Sequence, residues 1–407
     1  MNCVPFCRKP AGGLPEAARD CKDIAKLSFL QALPYFCYLC KLNLFAMGKI
    51  TVHYSQNLSD LAALLRDYPS VFIVADRKVK NFITEPIAEI CAEAGVALRG
   101  VLNLRAGECR KDLRSVEKIL NWLLGTGADR NSLVLAVGGG VMTDLAGFAA
   151  SIYKRGIRYA NVPTTLLAQV DAAVGGKTGC NIDGNKNMAG LIRQPEFTFI
   201  NTEFIKTLSW EDFCEGYAEL LKTLIIGDAD AYRKAVAADD FSELDAFVRR
   251  AVEIKTALVE RDESDRGDRR LLNLGHTFAH AFEARSAHHP LRRALPGEKS
   301  LFGLTTRRIT HGQAVAMGII MAAEMSEREG VAIRKAGLPE RSGTEERTGL
   351  ADGLKKDFLQ AGLPVNCSWG LKDLLPYMKN DKKSEGGKMN FVLIREIGDV
   401  IVKSVDI

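Results

Sequence analysis

Two groups of chemically active side chains in the C-terminal half of the sequence are spaced as on one face of a helix. His276 and His280 are four positions apart in a segment that we predict to be helical, so both face the same way. Histidines at this spacing often bind one metal ion. Glu215, Glu219 and Lys222 share one face of a second predicted helix. Such a charged face is equally typical of a helix surface that only meets solvent.

A glycine-rich turn in the N-terminal half could bind a phosphate. The apolar strand predicted over 133–137 is followed directly by Gly138, Gly139 and Gly140, and then by a predicted helix over 142–152. Because glycine has no Cβ, the backbone can turn sharply and direct N–H groups toward an anion. A triple glycine after a strand can also be only a tight connection.

Further polar groups follow apolar runs within the next fifty residues. They are Thr164 and Thr165, the segment GGKT at 175–178, and Lys186 beside Asn187. Ligands of α/β proteins bind at the carboxyl ends of parallel strands, so we expect these groups to line the same site as the glycine turn.

The elements that must position these groups change in character along the chain. Strands predicted over 71–75 and 96–104 enclose a helix predicted over 79–94, which is typical of an α/β fold with a Rossmann-like parallel sheet. Beyond residue 208 the pattern is mainly α-helical. We therefore predict an α/β domain over 47–205 and a mainly α-helical domain over 206–407, with a ligand cleft between them.

Composition excludes several classes of protein. The 407 residues carry a net charge of +5 without a long basic block, so no nucleic acid is implied. The ten cysteines show no pairing pattern, and a reduced, cytoplasmic protein is the better interpretation. Residues 1–46 are interpreted as an N-terminal extension without a fold of its own. Their apolar stretch is interrupted by Pro34 and Lys41, which argues against a membrane span.

The motifs GGGVMTDLAGF, YKRG, PTTLLAQVD, GGKTG and KNMAG, in this order, closely resemble those of the 3-dehydroquinate synthases. These are NAD- and zinc-dependent sugar-phosphate cyclases of the shikimate pathway, which supplies aromatic amino acids. The resemblance runs from about residue 50 to the C-terminus, and it makes 47–205 the NAD-binding domain and 206–407 the metal- and substrate-binding domain.

The resemblance also assigns ligand sets to this sequence. It implies Zn²⁺ (or Co²⁺) bound by Glu219, His276 and His311, with an open position as a catalytic site requires. The implied NAD contacts are Asp76, Glu108, Lys111, Gly139, Gly140, Val141, Asp144, Thr164, Thr165, Lys177, Lys186, Asn187 and Thr207. The implied substrate and catalytic contacts are Arg155, Asp171, Lys177, Lys222, Lys255, Arg269, Asn273, His280 and Lys382. The partner subunit of a homodimer would donate Arg155.

By this resemblance the substrate is 3-deoxy-D-arabino-heptulosonate 7-phosphate, a small anionic sugar phosphate. It would be oxidised, lose phosphate, be reduced again and close into 3-dehydroquinate, so NAD is needed but not consumed. Three alternatives remain. They are a cyclase of the 2-deoxy-scyllo-inosose or valiolone type, a metal-dependent polyol dehydrogenase, and an inactive relative that binds NAD without turnover.

The sequence departs from the family pattern at a few positions. They are Lys78, Thr143, Asn185, Ser264 and Ala279, together with a basic insertion over 285–310 that we expect to form a mobile loop near the metal site. None of these changes removes a predicted ligand. Thr143 and Lys78 could alter cofactor affinity, and Ala279 adds a methyl group beside His280.

Overall fold

The structure is a computed structural model. It describes residues 49–183, 185–262, 267–288, 308–333, 349–367, 369–378, 384–385 and 388–406. The predicted extension 1–46, most of the insertion 285–310, Ser264 and Lys382 lie outside the described residues.

The first part of the described chain alternates strands and helices. The strands are β1 (Val52–Tyr54), β2 (Val71–Asp76), β3 (Leu98–Leu104), β4 (Leu133–Gly138), β5 (Arg158–Pro163), β6 (Lys177–Ile182), β7 (Asn185–Ile192) and β8 (Thr198–Ile200). The helices are α1 (Leu58–Leu65), α2 (Glu85–Glu93), α3 (Leu113–Gly125) and α4 (Gly140–Ile152). Six of the strands form a parallel sheet in the order β1-β8-β5-β4-β2-β3, and β6 pairs with β7 in a separate antiparallel hairpin. This confirms the Rossmann-like parallel sheet.

Both faces of the sheet are covered by helices. Because successive side chains of a strand point to opposite faces, each central strand contributes to the core on both sides. On β2, Ile73 packs with Ile87 of α2 in one hydrophobic cluster. Its neighbours Phe72 and Val74 pack in a second cluster that includes Ile119 of α3. Helices on both faces explain why β2 and β4 are continuous apolar runs rather than alternating ones.

The predicted helix over 79–94 is shorter in the structure. The α-helix begins at Glu85 and is preceded by single turns of other helix types, Arg77–Val79 and Lys80–Thr84. Pro86 has no N–H to donate to a carbonyl one turn earlier, so the α-helical hydrogen bonds cannot continue back through it. The strand predicted over 96–104 begins at Leu98.

The second part of the described chain is mainly α-helical, as predicted. The helices are α5 (Trp210–Gly227), α6 (Ala229–Ala237), α7 (Leu244–Arg261), α8 (His276–His288), α9 (His311–Arg328), α10 (Leu350–Gln360) and α11 (Leu371–Met378). Strands β9 (Ser384–Glu385), β10 (Lys388–Glu396) and β11 (Asp399–Asp406) form an antiparallel sheet, in which β10 and β11 are a hairpin around Gly398. Residues of α5, α7, α8, α9 and β10 share one hydrophobic core.

The described residues from Lys49 onward group as one compact unit, and the division at 205 and 206 stays a prediction. In the part of the chain that the structure describes, no helix combines the length and the apolar character needed to cross a membrane.

Candidate active site

The predicted metal ligands converge from three helices. Glu219 lies in the middle of α5, while His276 and His311 are the first residues of α8 and α9. Oε1 of Glu219 lies 3.4 Å from Nε2 of His276 and 3.0 Å from Nε2 of His311. One ligand atom from each residue lies within 4.8 Å of the others. The carboxylate is fully buried and the imidazoles are partly exposed, so a ligand can reach the cluster from the histidine side.

Glu215 fixes the N-terminus of α9 against α5. Its Oε2 accepts a hydrogen bond of 2.8 Å from the backbone N–H of Gly312, and its Oε1 accepts one from the hydroxyl of Thr310. A Cβ at Gly312 would lie 2.5 Å from Cα of Glu215, so only glycine allows this approach. Glu215 and Glu219 are one turn apart on α5. Helix α5, which carries the predicted metal ligand Glu219, therefore positions α9, which begins with the predicted metal ligand His311.

Glycines also bring α8 and α9 together. Gly275, with a φ of +76°, precedes α8, and a Cβ at Gly318 of α9 would lie 2.3 Å from the carbonyl oxygen of Gly275. The close approach places the rings of His276 and His311 with their centroids 5.5 Å apart. Glycine at these positions is thus a condition for the two imidazoles to meet.

A second carboxylate lies behind His311. Oε1 of Glu283 lies 3.2 Å from Nδ1 of His311 and 2.9 Å from Nζ of Lys186. The ring of His311 is therefore held between Glu219 on Nε2 and Glu283 on Nδ1.

The electrostatics of the cluster fit a cation. Burial lowers the pKa of His311, but hydrogen bonds with Glu219 and Glu283 outweigh burial and raise that pKa to about 10. Burial likewise opposes ionisation of Glu219, yet Lys222 and His276 hold its pKa well below the usual value. The cluster thus attracts positive charge onto an imidazole. One carboxylate and two imidazoles are also a donor set typical of catalytic Zn²⁺ sites, so the residues present fit a divalent metal.

Buried cations line the neighbouring region. Nζ of Lys222 lies 2.5 Å from Oε2 of Glu219, and both side chains are buried. Lys255 of α7 is paired with the carboxylate of Asp171 and donates a second hydrogen bond, of 2.6 Å, to its backbone carbonyl. Burial opposes ionisation of Asp171, but Lys255 outweighs it and lowers the pKa.

Arg269 adds a further buried positive charge and donates a hydrogen bond of 3.0 Å to the carbonyl of Gly175. Gly175 and Gly176 have φ values of +101° and +71°, so the predicted glycine pair forms a sharp turn before β6.

The predicted phosphate turn joins β4 to α4. Gly138 has a φ of +155°, Gly139 caps α4, and Gly140 and Val141 begin the helix. A Cβ at Gly140 would lie 2.8 Å from Cβ of Ala172, the neighbour of Asp171. The turn and the buried cations are therefore connected through the segment 171–172.

The hydroxyl pair after Pro163 lies against the same turn. The backbone N–H of Thr164 donates to the carbonyl of Gly138 at 3.0 Å. Oγ1 of Thr165 accepts from the N–H of Ala168 at 3.2 Å, and its methyl group would lie 3.1 Å from a Cβ at Gly139. Both threonines thus fix the backbone of this turn.

Lys111 connects the elements around the glycine turn. Its Nζ lies 2.5 Å from Oδ2 of Asp144 on α4 and 2.6 Å from Oδ1 of Asn187 on β7, and the side chain is buried. Burial raises the pKa of Asp144 to about 6, although Lys111 acts in the opposite direction. Glu108 accepts from the side chain of Asn181 at 2.8 Å.

Asp76 ends β2 and accepts from the backbone N–H groups of Lys78 at 3.1 Å and Ala106 at 3.4 Å. It therefore connects the turns that follow β2 and β3.

Arg155 is not brought to the other predicted residues within this chain. It is exposed and follows the far end of α4, whose 13 residues span about 20 Å from the glycine turn. Donation of Arg155 by a partner subunit stays a prediction.

The remaining predicted residues lie on separate elements. Lys177 begins β6 and is exposed, Asn273 ends a short 3₁₀ helix, and His280 is exposed one turn along α8. The hydroxyl of Thr207 donates to the carbonyl of Phe204 at 2.7 Å. The contacts of these residues with ligands stay predictions.

Comparison with known proteins identifies the family. Residues 101–215 match the model of the 3-dehydroquinate synthase N-terminal region, and residues 216–384 match that of the C-terminal region. This chain belongs to the 3-dehydroquinate synthase family. The two matches meet within α5, the helix that carries Glu219.

Relatives with this name cover most of the chain. The 3-dehydroquinate synthase of Cereibacter sphaeroides is 40% identical over 352 residues, which are 84% of this chain and 87% of the relative. That of Roseobacter denitrificans is 36% identical, over 83% of this chain and 85% of the relative.

Solved structures of other cyclases share the fold. A 2-deoxy-scyllo-inosose synthase complexed with carbaglucose-6-phosphate, NAD⁺ and Co²⁺ aligns with a TM-score of 0.70 at 21% identity, over 88% of this chain and 96% of its own. A 2-epi-5-epi-valiolone synthase from Streptomyces hygroscopicus with NAD⁺ and Zn²⁺ bound aligns with a TM-score of 0.73 at 24% identity, over 88% and 94%.

Sequence reasoning missed Glu283, a carboxylate that contacts the predicted metal ligand His311, and gave no role to a second carboxylate, Glu215. Glu283 is seven residues after His276 on α8, a spacing that keeps both on one helix face and could have identified it. Glu215 was noted on the face of Glu219, but its contact with Gly312 depends on tertiary packing.

Proposed function

We propose that this protein converts 3-deoxy-D-arabino-heptulosonate 7-phosphate to 3-dehydroquinate and phosphate, with NAD and a divalent metal, Zn²⁺ or Co²⁺, as cofactors. Membership of the 3-dehydroquinate synthase family supports the activity. The observation that carries the proposal is the segment 171–172. Ala172 packs against the glycine turn, while Asp171 pairs with Lys255 and lies within electrostatic reach of Glu219. This connection supports a nucleotide bound at the glycine turn close to a metal bound by Glu219, His276 and His311.

Each cofactor has a set of residues that would hold it. Glu219, His276 and His311 would hold the metal, which when bound polarises substrate oxygens and lowers the pKa of a bound hydroxyl. The N-terminus of α4 with Gly139 and Gly140 would hold the pyrophosphate of NAD, which accepts a hydride and later returns it.

The chain's own side chains would bind and orient the substrate. Lys222, Lys255 and Arg269 are buried cations beside the metal cluster, so they offer charge-assisted hydrogen bonds to an anionic substrate at low cost in side-chain entropy. Asp171, held ionised by Lys255, can accept a hydrogen bond from a substrate hydroxyl. Lys177, Asn187, Asn273, His280 and Lys382 would complete the anion contacts.

The experiment is an assay of two products. Purified protein with Zn²⁺, NAD and 3-deoxy-D-arabino-heptulosonate 7-phosphate should release phosphate without net NADH. Accumulation of NADH would indicate a polyol dehydrogenase. Turnover of glucose 6-phosphate, which has no carboxylate, in preference to the heptulosonate would indicate another sugar-phosphate cyclase. NAD binding without either product would indicate an inactive relative.

A cytoplasmic homodimer belongs to this proposal. Arg155 lies about 20 Å from the glycine turn of its own chain, and β7 carries the exposed apolar side chains Met188, Leu191 and Ile192, which a second copy could cover. Mixing two inactive variants, Arg155→Ala and Glu219→Gln, tests the donation. Recovery of activity after subunit exchange supports it, and no recovery in a mixed dimer contradicts it.

A further inference from the structure

Glu283 links the metal cluster to the hairpin that follows the glycine-rich region. One oxygen, Oε1, contacts both Nδ1 of His311 and Nζ of Lys186. Glu283 lies on α8, His311 begins α9, and Lys186 lies on β7. The Glu283 side chain is 14% exposed and that of Lys186 is 46% exposed. The carboxylate is therefore more shielded from solvent than the ammonium group.

We propose that Glu283 is a positioning residue that holds His311 in the tautomer and ring orientation required to bind a metal, and that Lys186 holds Glu283 in place. This inference rests on the proposed metal-dependent function. The Nε2 atom of His311 faces Glu219, so the proton of the neutral ring must reside on Nδ1 if Nε2 is to bind a cation. Oε1 of Glu283 accepts the hydrogen bond of that N–H.

The two imidazoles of the cluster are held differently. Nδ1 of His276 lies 3.2 Å from the carbonyl oxygen of Leu274, a neutral acceptor supplied by the backbone. His311 instead has a charged acceptor, which restrains the ring and increases the basicity of the metal-binding nitrogen. A side-chain substitution can therefore remove the support of His311 alone.

Lys186 extends the link toward the nucleotide turn. Its neighbour Asn187 accepts a hydrogen bond from Lys111, which is paired with Asp144 on α4. The β6–β7 hairpin thus contacts the carboxylate behind His311 through one residue and the surroundings of the glycine turn through the next.

The test measures Zn²⁺ affinity of the full chain by competition with a chromophoric chelator, and the absorption spectrum of the Co²⁺-loaded protein. Glu283→Gln should weaken Zn²⁺ binding by roughly 10- to 100-fold and change the Co²⁺ spectrum, because the charged acceptor is lost. Lys186→Met should weaken binding by about two- to fivefold, as expected for a partly exposed ion pair. In the Glu283→Gln background, Lys186→Met should have no further effect.

The matched control is Glu324→Gln. Glu324 lies on α9 and is 2.8 Å from Lys355, so it is also a lysine-paired glutamate, but Lys355 lies on α10 and not beside the metal cluster. The Zn²⁺ affinity of the Glu324→Gln variant should equal that of the wild-type protein. Unchanged affinity and spectrum in Glu283→Gln would overturn the role of Glu283, and unchanged affinity in Lys186→Met would overturn the role of Lys186. Failure of the wild-type protein to bind Zn²⁺ would instead overturn the proposed function.

Discussion

Nε2 of His311 lies 3.0 Å from Oε1 of Glu219, although 92 positions separate the two residues. The contact depends on the packing of α9 against α5, where Glu215 caps one helix from the other. A local sequence motif can supply each donor, but only tertiary structure brings the donors together. Substitutions should therefore distinguish the loss of a metal-binding side chain from the loss of the packing between α5 and α9.

Glu219→Gln should remove the metal and the activity together. The neutral amide cannot replace the charge of the carboxylate, and Lys222 becomes a buried cation without its partner. We expect metal content near background, and a free energy of unfolding of the metal-free protein lower by about 3 kcal/mol. Metal analysis and urea unfolding measure the two effects. Glu211→Gln, on the exposed first turn of the same helix, is the control for metal content and should retain the metal. Retention of metal by Glu219→Gln would contradict the assignment.

The sequence was sufficient to predict the parts of the site that lie within one element. The glycine turn after β4, the face of α5 and the histidine that begins α8 each follow from a periodicity or from glycine chemistry within a few residues. The mainly helical second half was predictable for the same reason.

Relationships between elements were not predictable in this way. The contact of Glu283 with His311 joins two helices, and the position of Lys186 depends on how the hairpin packs. The interruption of the helix near Pro86 was readable in principle, since proline lacks the N–H that a continuous helix requires. The prediction there gave hydrophobic periodicity too much weight.

Gly140→Ala should weaken NAD binding by roughly tenfold, which is equivalent to about 1.4 kcal/mol. The new Cβ would lie 2.8 Å from Cβ of Ala172, so α4 must move relative to the segment that supports the cations. Isothermal titration with NAD measures the effect. Gly353→Ala in α10 is the control, because a Cβ there meets nothing within 4 Å; it should leave NAD binding unchanged and stabilise the protein by about 0.5–1 kcal/mol. Equal NAD affinity in both variants would show that the turn does not bind the cofactor.

Asp144 should make the stability of the fold depend on pH. Burial raises its pKa from 3.8 to about 6, so the folded state binds this proton more tightly than the unfolded state does. Stability from this group is therefore present at low pH and declines as the pH rises from about 4 to 6. The free energy of unfolding of the wild type minus that of Asp144→Asn should fall by about 3 kcal/mol over this range and then level off. Urea unfolding of both proteins at each pH measures the difference, and a difference that increases with pH would contradict the assignment.

Lys255→Met should lower kcat/KM by roughly 10- to 100-fold, the effect of losing a hydrogen bond from a charged group. Burial lowers the pKa of Lys255 below 10.5, and Asp171 only partly offsets this. Catalysis in the wild type should therefore decline on the alkaline side as this ammonium loses its proton. Lys255→Arg keeps the charge at all accessible pH values, so it should retain more activity than the methionine variant and move the alkaline decline to higher pH. The measurement is the pH profile of phosphate release, with the exposed Lys234→Met on α6 as the control. An identical alkaline limb in the wild type and Lys255→Arg would show that another group controls the decline and that Lys255 does not act through its charge.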